Sequence, residues 1–194
     1  MIRSVQLAAA HVLNPGETPD VSFIPPLVRR RLSPLQKLYF ALASTVEGER
    51  LPASAVFASR DGEDSLTRRI VESFNDDGSV SPHRFSASVY NAAPGLWSVH
   101  TKNRAPYTAI AAGDGTLEAG LLEALAGVTP SLFVYAEETN GGYGAAIRFD
   151  DTGNRRLELS PGDPSRPFLT FDALVAFLNG TTPRLTGRWL TVTQ

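Results

Sequence analysis

Between Gly113 and Val128 the chain carries Leu117, Leu121, Leu122, Leu125 and Val128, with Ala119, Gly120 and Ala124 in the gaps. This spacing predicts a helix that is apolar on nearly every side. Such a helix has no face to offer water and belongs in the middle of a molecule, between other layers. Its small residues would let neighbouring elements approach closely. The segment before it, Tyr107 to Ala112, is short and apolar, and Ser131-Leu132-Phe133-Val134-Tyr135-Ala136 after it is the clearest strand in the sequence. A buried helix alternating with strands argues an α/β fold.

The remaining chain fits this class. Val5 to Leu13 predicts a first strand ended by the turn signal Asn14-Pro15-Gly16. Ser33 reads as an N-cap with Pro34 at the first helical position, followed by Leu35, Leu38, Tyr39 and Leu42 on one face of a helix running to about Val46. Ala53 to Ser59 predicts a buried parallel strand. A second helix, capped by Asp64 or Ser65, carries the stripe Leu66, Ile70, Val71 and Phe74. Phe85 to Val99 predicts a long helical stretch broken near Pro94-Gly95. Gly144 to Phe149 pairs with the strand at Ser131 as a hairpin across Thr139-Asn140-Gly141-Gly142. Beyond Asp150 the pattern thins to alternating Leu157 and Leu159, a helix at Phe171 to Leu178 and a strand at Arg188 to Val192. The expected architecture is a mixed sheet with a buried central helix and covering helices. Residues 1–150 form the domain, and residues 151–194 form a short C-terminal extension packed on it.

There is no cysteine in the 194 residues, which excludes disulfides, thiolate metal sites and thiolate nucleophiles. Eighteen Lys plus Arg against twenty Asp plus Glu, a net charge of -2, offers no convergent cations for nucleic acid. No run approaches the about 18 apolar residues of a membrane span. The start, Met1 to His11, has one basic residue and an apolar run interrupted by Gln6, and is read as a strand in preference to a signal peptide. These features fit a cytoplasmic protein. His11, His83 and His100 lack metal-ligand spacing, so no metal is expected. Gly113-Asp114-Gly115-Thr116 lacks the lysine of a phosphate loop, so no cofactor is expected either. Ser98-Val99-His100, with Ser86 and Ser88 nearby, lacks a nucleophile elbow, and these hydroxyls are assigned to helix packing or capping. Glu137 and Glu138 are adjacent on a strand and point to opposite sides, which reads as a solvated strand end.

The run Ser81-Pro82-His83-Arg84-Phe85-Ser86-Ala87-Ser88-Val89-Tyr90-Asn91-Ala92-Ala93-Pro94-Gly95 resembles the beta-ketoacyl synthase-like family of chain-length-factor-like proteins found with aryl polyene and related polyene pigment pathways. The likeness extends back through Arg30-Arg31-Leu32-Ser33 and Val56-Phe57-Ala58-Ser59-Arg60. It extends forward through Ala105-Pro106-Tyr107-Thr108-Ala109-Ile110-Ala111-Ala112-Gly113 and Thr116 to Ala124, so that residues 1–150 are covered. Tyr90 departs from the pattern, since many relatives have histidine before the asparagine.

The resemblance implies a thiolase-like half-fold. It places Ala112, with Gly113 beside it, where a complete ketosynthase carries the cysteine that accepts the acyl chain. Neither side chain can be acylated. The two histidines and the lysine that stabilise the decarboxylated enolate come, in a complete ketosynthase, from a second half that this sequence ends before. The resemblance therefore implies a non-enzymatic, chain-length-factor-like subunit whose partner is a complete beta-ketoacyl-ACP synthase. Acyl carrier protein is a second candidate partner, and a homodimer is expected when the chain is alone. In thiolase-like dimers the strand entering the nucleophile junction pairs across the subunit boundary, which assigns Tyr107, Thr108, Ala109, Ile110 and Ala111 to the interface. Val89, Asn91 and Trp97 from the preceding helical stretch join them. Two alternatives stay open: a free-standing acyl or acyl-carrier-binding homodimer, and an enzyme of another class using Ser98, His100 or Glu137-Glu138.

Overall fold

Strands send successive side chains to opposite faces, and in the computed structural model, which describes residues 3–194, both faces of the sheet are packed. Met1 and Ile2, where the first-strand and domain readings begin, lie outside the described residues. The strands are β1 (Arg3–Leu13), β2 (Ser54–Ala58), β3 (Tyr107–Ile110), β4 (Ser131–Glu137), β5 (Tyr143–Asp150), β6 (Arg155–Pro161), β7 (Arg184–Thr186) and β8 (Leu190–Thr193). They form one mixed sheet in the order β3-β2-β4-β5-β1-β6-β8-β7. The contacts of β2 with β3 and with β4 are parallel, and the rest are antiparallel. Every residue of β4 is buried, as a strand flanked by neighbours and covered on both faces requires.

One face packs against α2 (Pro34–Thr45) and α5 (Ala92–Thr101). Phe57, Leu132, Val134 and Ala136 meet Leu38, Tyr39, Leu42 and Trp97 there. The predicted start of α2 is present in full: Ser33 Oγ accepts from the Gln36 amide at 3.0 Å, and the Gln36 side chain accepts from the Ser33 amide at 3.2 Å. The other face packs against α6 (Thr116–Ala126), the helix that the leucine spacing predicts, and against α7 (Phe171–Leu178). Gly120 sits so close to the sheet that a Cβ there would lie 2.8 Å from both Ala58 and Phe133. This is the close approach expected of the small residues in α6.

The remaining helices are α1 (Pro26–Arg29), α3 (Asp64–Asp77) and α4 (Pro82–Ala87). Three details differ from expectation. The break in the long helical stretch falls at residues 88–91, ahead of Pro94. Pro94 occupies the first turn of α5, where its missing N–H costs no hydrogen bond. Residue 63, not Asp64 or Ser65, occupies the cap position of α3, and Asp64 pairs with Arg68 one turn on, at 2.8 Å. The thin pattern after Asp150 holds β6, β7 and β8, which continue the sheet beyond β1. Leu157, Leu174, Phe177, Leu185, Leu190 and Val192 thereby cover the face next to α6.

Candidate functional site

The junction between β3 and α6 is where the sequence reading locates its vestigial nucleophile. Ala112 and Gly113 are both exposed there, with Gly113 in the left-handed region at φ +55°. A short 3-10 turn, Gly113–Gly115, leads into α6. The Ala112 N–H donates to Thr116 Oγ1 at 2.8 Å, and the same hydroxyl donates to the Gly113 carbonyl at 2.7 Å. An anion at residue 112 would need a free backbone N–H at that point. Here that donor is already engaged and the side chain is a methyl group. The junction is thus built as a helix start that carries a methyl group at residue 112 and a glycine at residue 113.

β3 is the edge strand of the sheet, hydrogen-bonded on one side only, to β2. Tyr107, Thr108 and Ala111 are exposed, and Ala109 and Ile110 are half-buried. The Ala55 amide donates to the Pro106 carbonyl and the Ser59 amide to the Ile110 carbonyl. Residues alternate along a parallel ladder, so the even-numbered positions of β3 face β2. The N–H groups of Tyr107, Ala109 and Ala111 therefore point out of the sheet. Of the helices near this edge α5 packs against β3, α4 against α5 and α3 against α4, and this run of structure presents apolar side chains to solvent. Val71 and Phe74 are 53% and 57% exposed, Phe85 is 61% exposed, and Val89, Tyr90 and Val99 are exposed too. The predicted stripe of α3 thus buries only Leu66 and leaves its outer part uncovered.

Among the interface residues read from sequence, Val89 and Asn91 are exposed, as are Tyr107, Thr108 and Ala111. Trp97 is not: at 5% exposure it packs edge-on against Phe40 with ring centroids 5.1 Å apart, and against His100. It supports the surface from beneath. Tyr90 folds its ring over Gly62, and its hydroxyl donates to the Arg60 carbonyl at 3.0 Å, tying the α4–α5 connection to the loop after β2. Ser98, Ser86 and Ser88 donate to the carbonyls of Asn103, His83 and Phe85. His100 lies among Phe23, Phe40 and Trp97. No serine-histidine pair is assembled by these contacts.

The solvated reading of Glu137 is wrong. Its side chain is buried, and it accepts from Ser59 Oγ at 2.9 Å, from the Arg60 amide at 2.6 Å and from the Asp61 amide at 3.4 Å. The parallel pairing of β2 with β4 ends both strands at the same level, so the carboxylate at the end of β4 clamps the loop leaving β2. Glu118, unnoticed within the apolar run of α6, is wholly buried. It accepts from the backbone amides of Leu169, Arg188, Trp189 and Leu190. A lone carboxylate in an otherwise apolar helix is the signal available for it, because a buried charge demands donors. Gly187 is required beside it, since a Cβ there would lie 2.5 Å from a Glu118 oxygen.

At the same end of the sheet a cavity of about 610 Å³ opens next to Gly113 and Asp114. Tyr135, Tyr143, Phe168 and Phe171 line it, with Arg60 and Arg188 at its sides. Burial, then the Glu137 carboxylate, pushes the Tyr135 hydroxyl far above its ordinary range, so it stays a neutral phenol. Among the described residues no group of three or more His, Asp or Glu side chains is placed to hold a metal, and no helix is long and apolar enough to cross a membrane.

Residues 5–140 match the model of the family described as beta-ketoacyl synthase, N-terminal domain. The chain belongs to that family. No curated protein matches it. Among solved structures, it is similar to a chain from the complex of a ketosynthase (ApeO) with its chain length factor (ApeC) from Xenorhabdus doucetiae. The TM-score is 0.80 at 18% identity, over 99% of this chain and 100% of that one. The mixed sheet, the buried α6 and the covering helices are accordingly the thiolase-like half-fold that the resemblance implied. Within this ketosynthase-like frame the β3–α6 junction carries alanine and glycine, and the family match stops before the extension that supplies Phe168, Phe171 and Arg188 to the cavity.

Proposed function

We propose that the chain is a non-catalytic, chain-length-factor-like subunit that pairs with a complete beta-ketoacyl-ACP synthase during chain elongation of the polyene (aryl polyene-type) or fatty-acid-like kind. The observation that carries this reading is the conjunction at β3. An unpaired edge strand with outward N–H groups runs straight into a junction that carries Ala112 and Gly113, where the resemblance expects a nucleophile. An edge free of charged or proline protection invites pairing with another strand, and the apolar surface of α3 to α5 beside it is of the kind that marks an interaction site. The ketosynthase–chain length factor complex to which the fold is similar supports the same reading. On this proposal residues 1–150 form the ketosynthase-like unit and residues 151–194 an extension of it. The subunit works in the cytoplasm, acyl carrier protein is its second partner, and the chain alone pairs with itself through β3.

Co-expression with a complete ketosynthase from the same organism, followed by affinity purification and light scattering, tests the proposal. Recovery of the untagged ketosynthase in equal amount, in a particle of one copy each, is expected. A well-behaved monomer that leaves the ketosynthase behind would remove the proposal. A second reading, a free-standing acyl-binding homodimer, is favoured by the cavity beside Gly113; a stable homodimer that ignores the ketosynthase and retains acyl ligand would select it.

A further inference from the structure

Apart from Gly113, the cavity beside the junction is made by residues that the partner reading does not use, and its chemistry points to a ligand. Its positive charges are not equivalent. Arg60 is balanced by Asp61 at 3.1 Å and by Asp114 at 3.6 Å. Glu137, also on the wall, has its carboxylate capped by Ser59 and two backbone amides. Arg188 has no carboxylate within ion-pair distance among the described residues. Its Nε donates to the Arg166 carbonyl at 3.1 Å, and its guanidinium lies 4.8 Å from the centre of the Phe168 ring. The remaining N–H groups of its fork are uncommitted.

Arg188 and Phe168 are also held firmly. The four backbone amides gathered by Glu118 belong to Leu169 on one segment and to Arg188, Trp189 and Leu190 on the other. One buried carboxylate therefore fixes both sides of this corner, which is the preorganisation a binding site needs. The opposite wall is aromatic: the rings of Tyr143 and Phe171 lie 4.8 Å apart, and that of Tyr135 lies 6.2 Å from Phe171.

We infer that this cavity binds a small aromatic carboxylate, its carboxylate on the Arg188 fork and its flat ring against Tyr143, Phe171 and Phe168. One uncommitted guanidinium matches one negative charge, and a planar fork matches a planar carboxylate. A dianion is disfavoured by Asp114 on the same rim, and a flat ring uses the aromatic wall better than a flexible alkyl chain does. The site goes beyond the partner reading and does not rest on it.

Isothermal titration calorimetry on the full-length chain, with 2-naphthoate as the probe, tests the inference. Saturable one-to-one binding is expected, at least about tenfold tighter than binding of neutral 2-naphthamide or of hexanoate. Arg188 is exposed, so Arg188→Gln leaves the fold intact and weakens naphthoate by about tenfold. Arg188→Lys restores part of that loss, and Phe171→Leu weakens naphthoate by about threefold or more. Absence of saturable binding to the folded chain overturns the inference, as does equal affinity for naphthoate and naphthamide. Unchanged affinity in Arg188→Gln overturns it as well. Failure to recover a ketosynthase touches none of these readouts.

Discussion

Glu63 stands just ahead of α3 with its side chain buried. One oxygen accepts from Gln36 Nε2 at 2.9 Å, and the other has no hydrogen-bond partner. Burial pushes its carboxyl up to about 7 and the nearby Glu138 adds to this, against the lowering effect of Ser33 and Gln36. The folded protein therefore keeps this proton up to about pH 7, whereas the unfolded chain releases it near the ordinary value of 4.5. Stability from this group is complete below about 4.5 and is lost as pH rises through about 7. Glu63→Gln retains an acceptor for Gln36 and has nothing to ionise. It should raise stability at about pH 8 by on the order of 2–3 kcal/mol and flatten the slope between about pH 4.5 and 7. Urea denaturation across that range would show it, and identical slopes for the two proteins would exclude the assignment. Glu118 has a structural role, because its four amide donors have no substitute acceptor. Glu118→Ala should cost about 3 kcal/mol or more, with amide hydrogen exchange accelerated first at Arg188 to Leu190. Uniform exchange along the chain would argue against a local clamp.

At the scale of elements, the β3 edge makes a prediction that depends on register. The Ile110 carbonyl accepts from Ser59, so position 110 belongs to the chain's own ladder, and proline there would damage β2–β3 pairing inside the subunit. Ala109 faces the other way. Ala109→Pro removes an outward donor while sparing the internal ladder, as edge positions tolerate, and Ala109→Ser retains it. Ala109→Pro should melt within a few degrees of the parent yet recover at least about tenfold less ketosynthase. Co-purification with light scattering on folded variants decides, and equal recovery would take β3 out of the interface. The exposed outer stripe of α3 is linked to this edge through α4 and α5. Its spacing is plain in the sequence, but whether such a stripe meets the body of its own fold or another chain is not a property of the helix.

For the whole molecule, the non-catalytic role proposed above rests on more than one missing sulfur atom. Ala112→Cys would restore an exposed thiol at the junction, and a maleimide should label it fully. Condensation of acyl and malonyl groups on carrier protein should still be undetectable, because the residue-112 N–H is engaged by Thr116 and no histidine lines the cavity beside the junction among the described residues. Intact-mass measurement and product chromatography would check both halves, and turnover by this variant alone would overturn the non-catalytic reading.

The sequence alone determined the class of fold and the position of its centre. The leucine spacing of α6, the N-cap Ser33 followed by Pro34 and the unbroken apolar run of β4 are local patterns, legible without knowledge of distant contacts. The cysteine-free junction is legible for a simpler reason, since a side chain that is absent cannot be supplied by folding. Other features came only from packing distant segments together. Glu137 escapes a sequence reading because its three donors lie more than seventy residues away, on the loop that parallel pairing brings beside it. Glu118 and Arg188 are likewise joined across the chain, by the return of β8 onto the sheet. Trp97 and Phe74 are both aromatic residues on apolar helix faces, yet one is buried and the other exposed. Hydrophobic spacing specifies that a face seeks cover. Which faces find it within the chain, and which remain for a partner, is set by how the helices settle on the sheet.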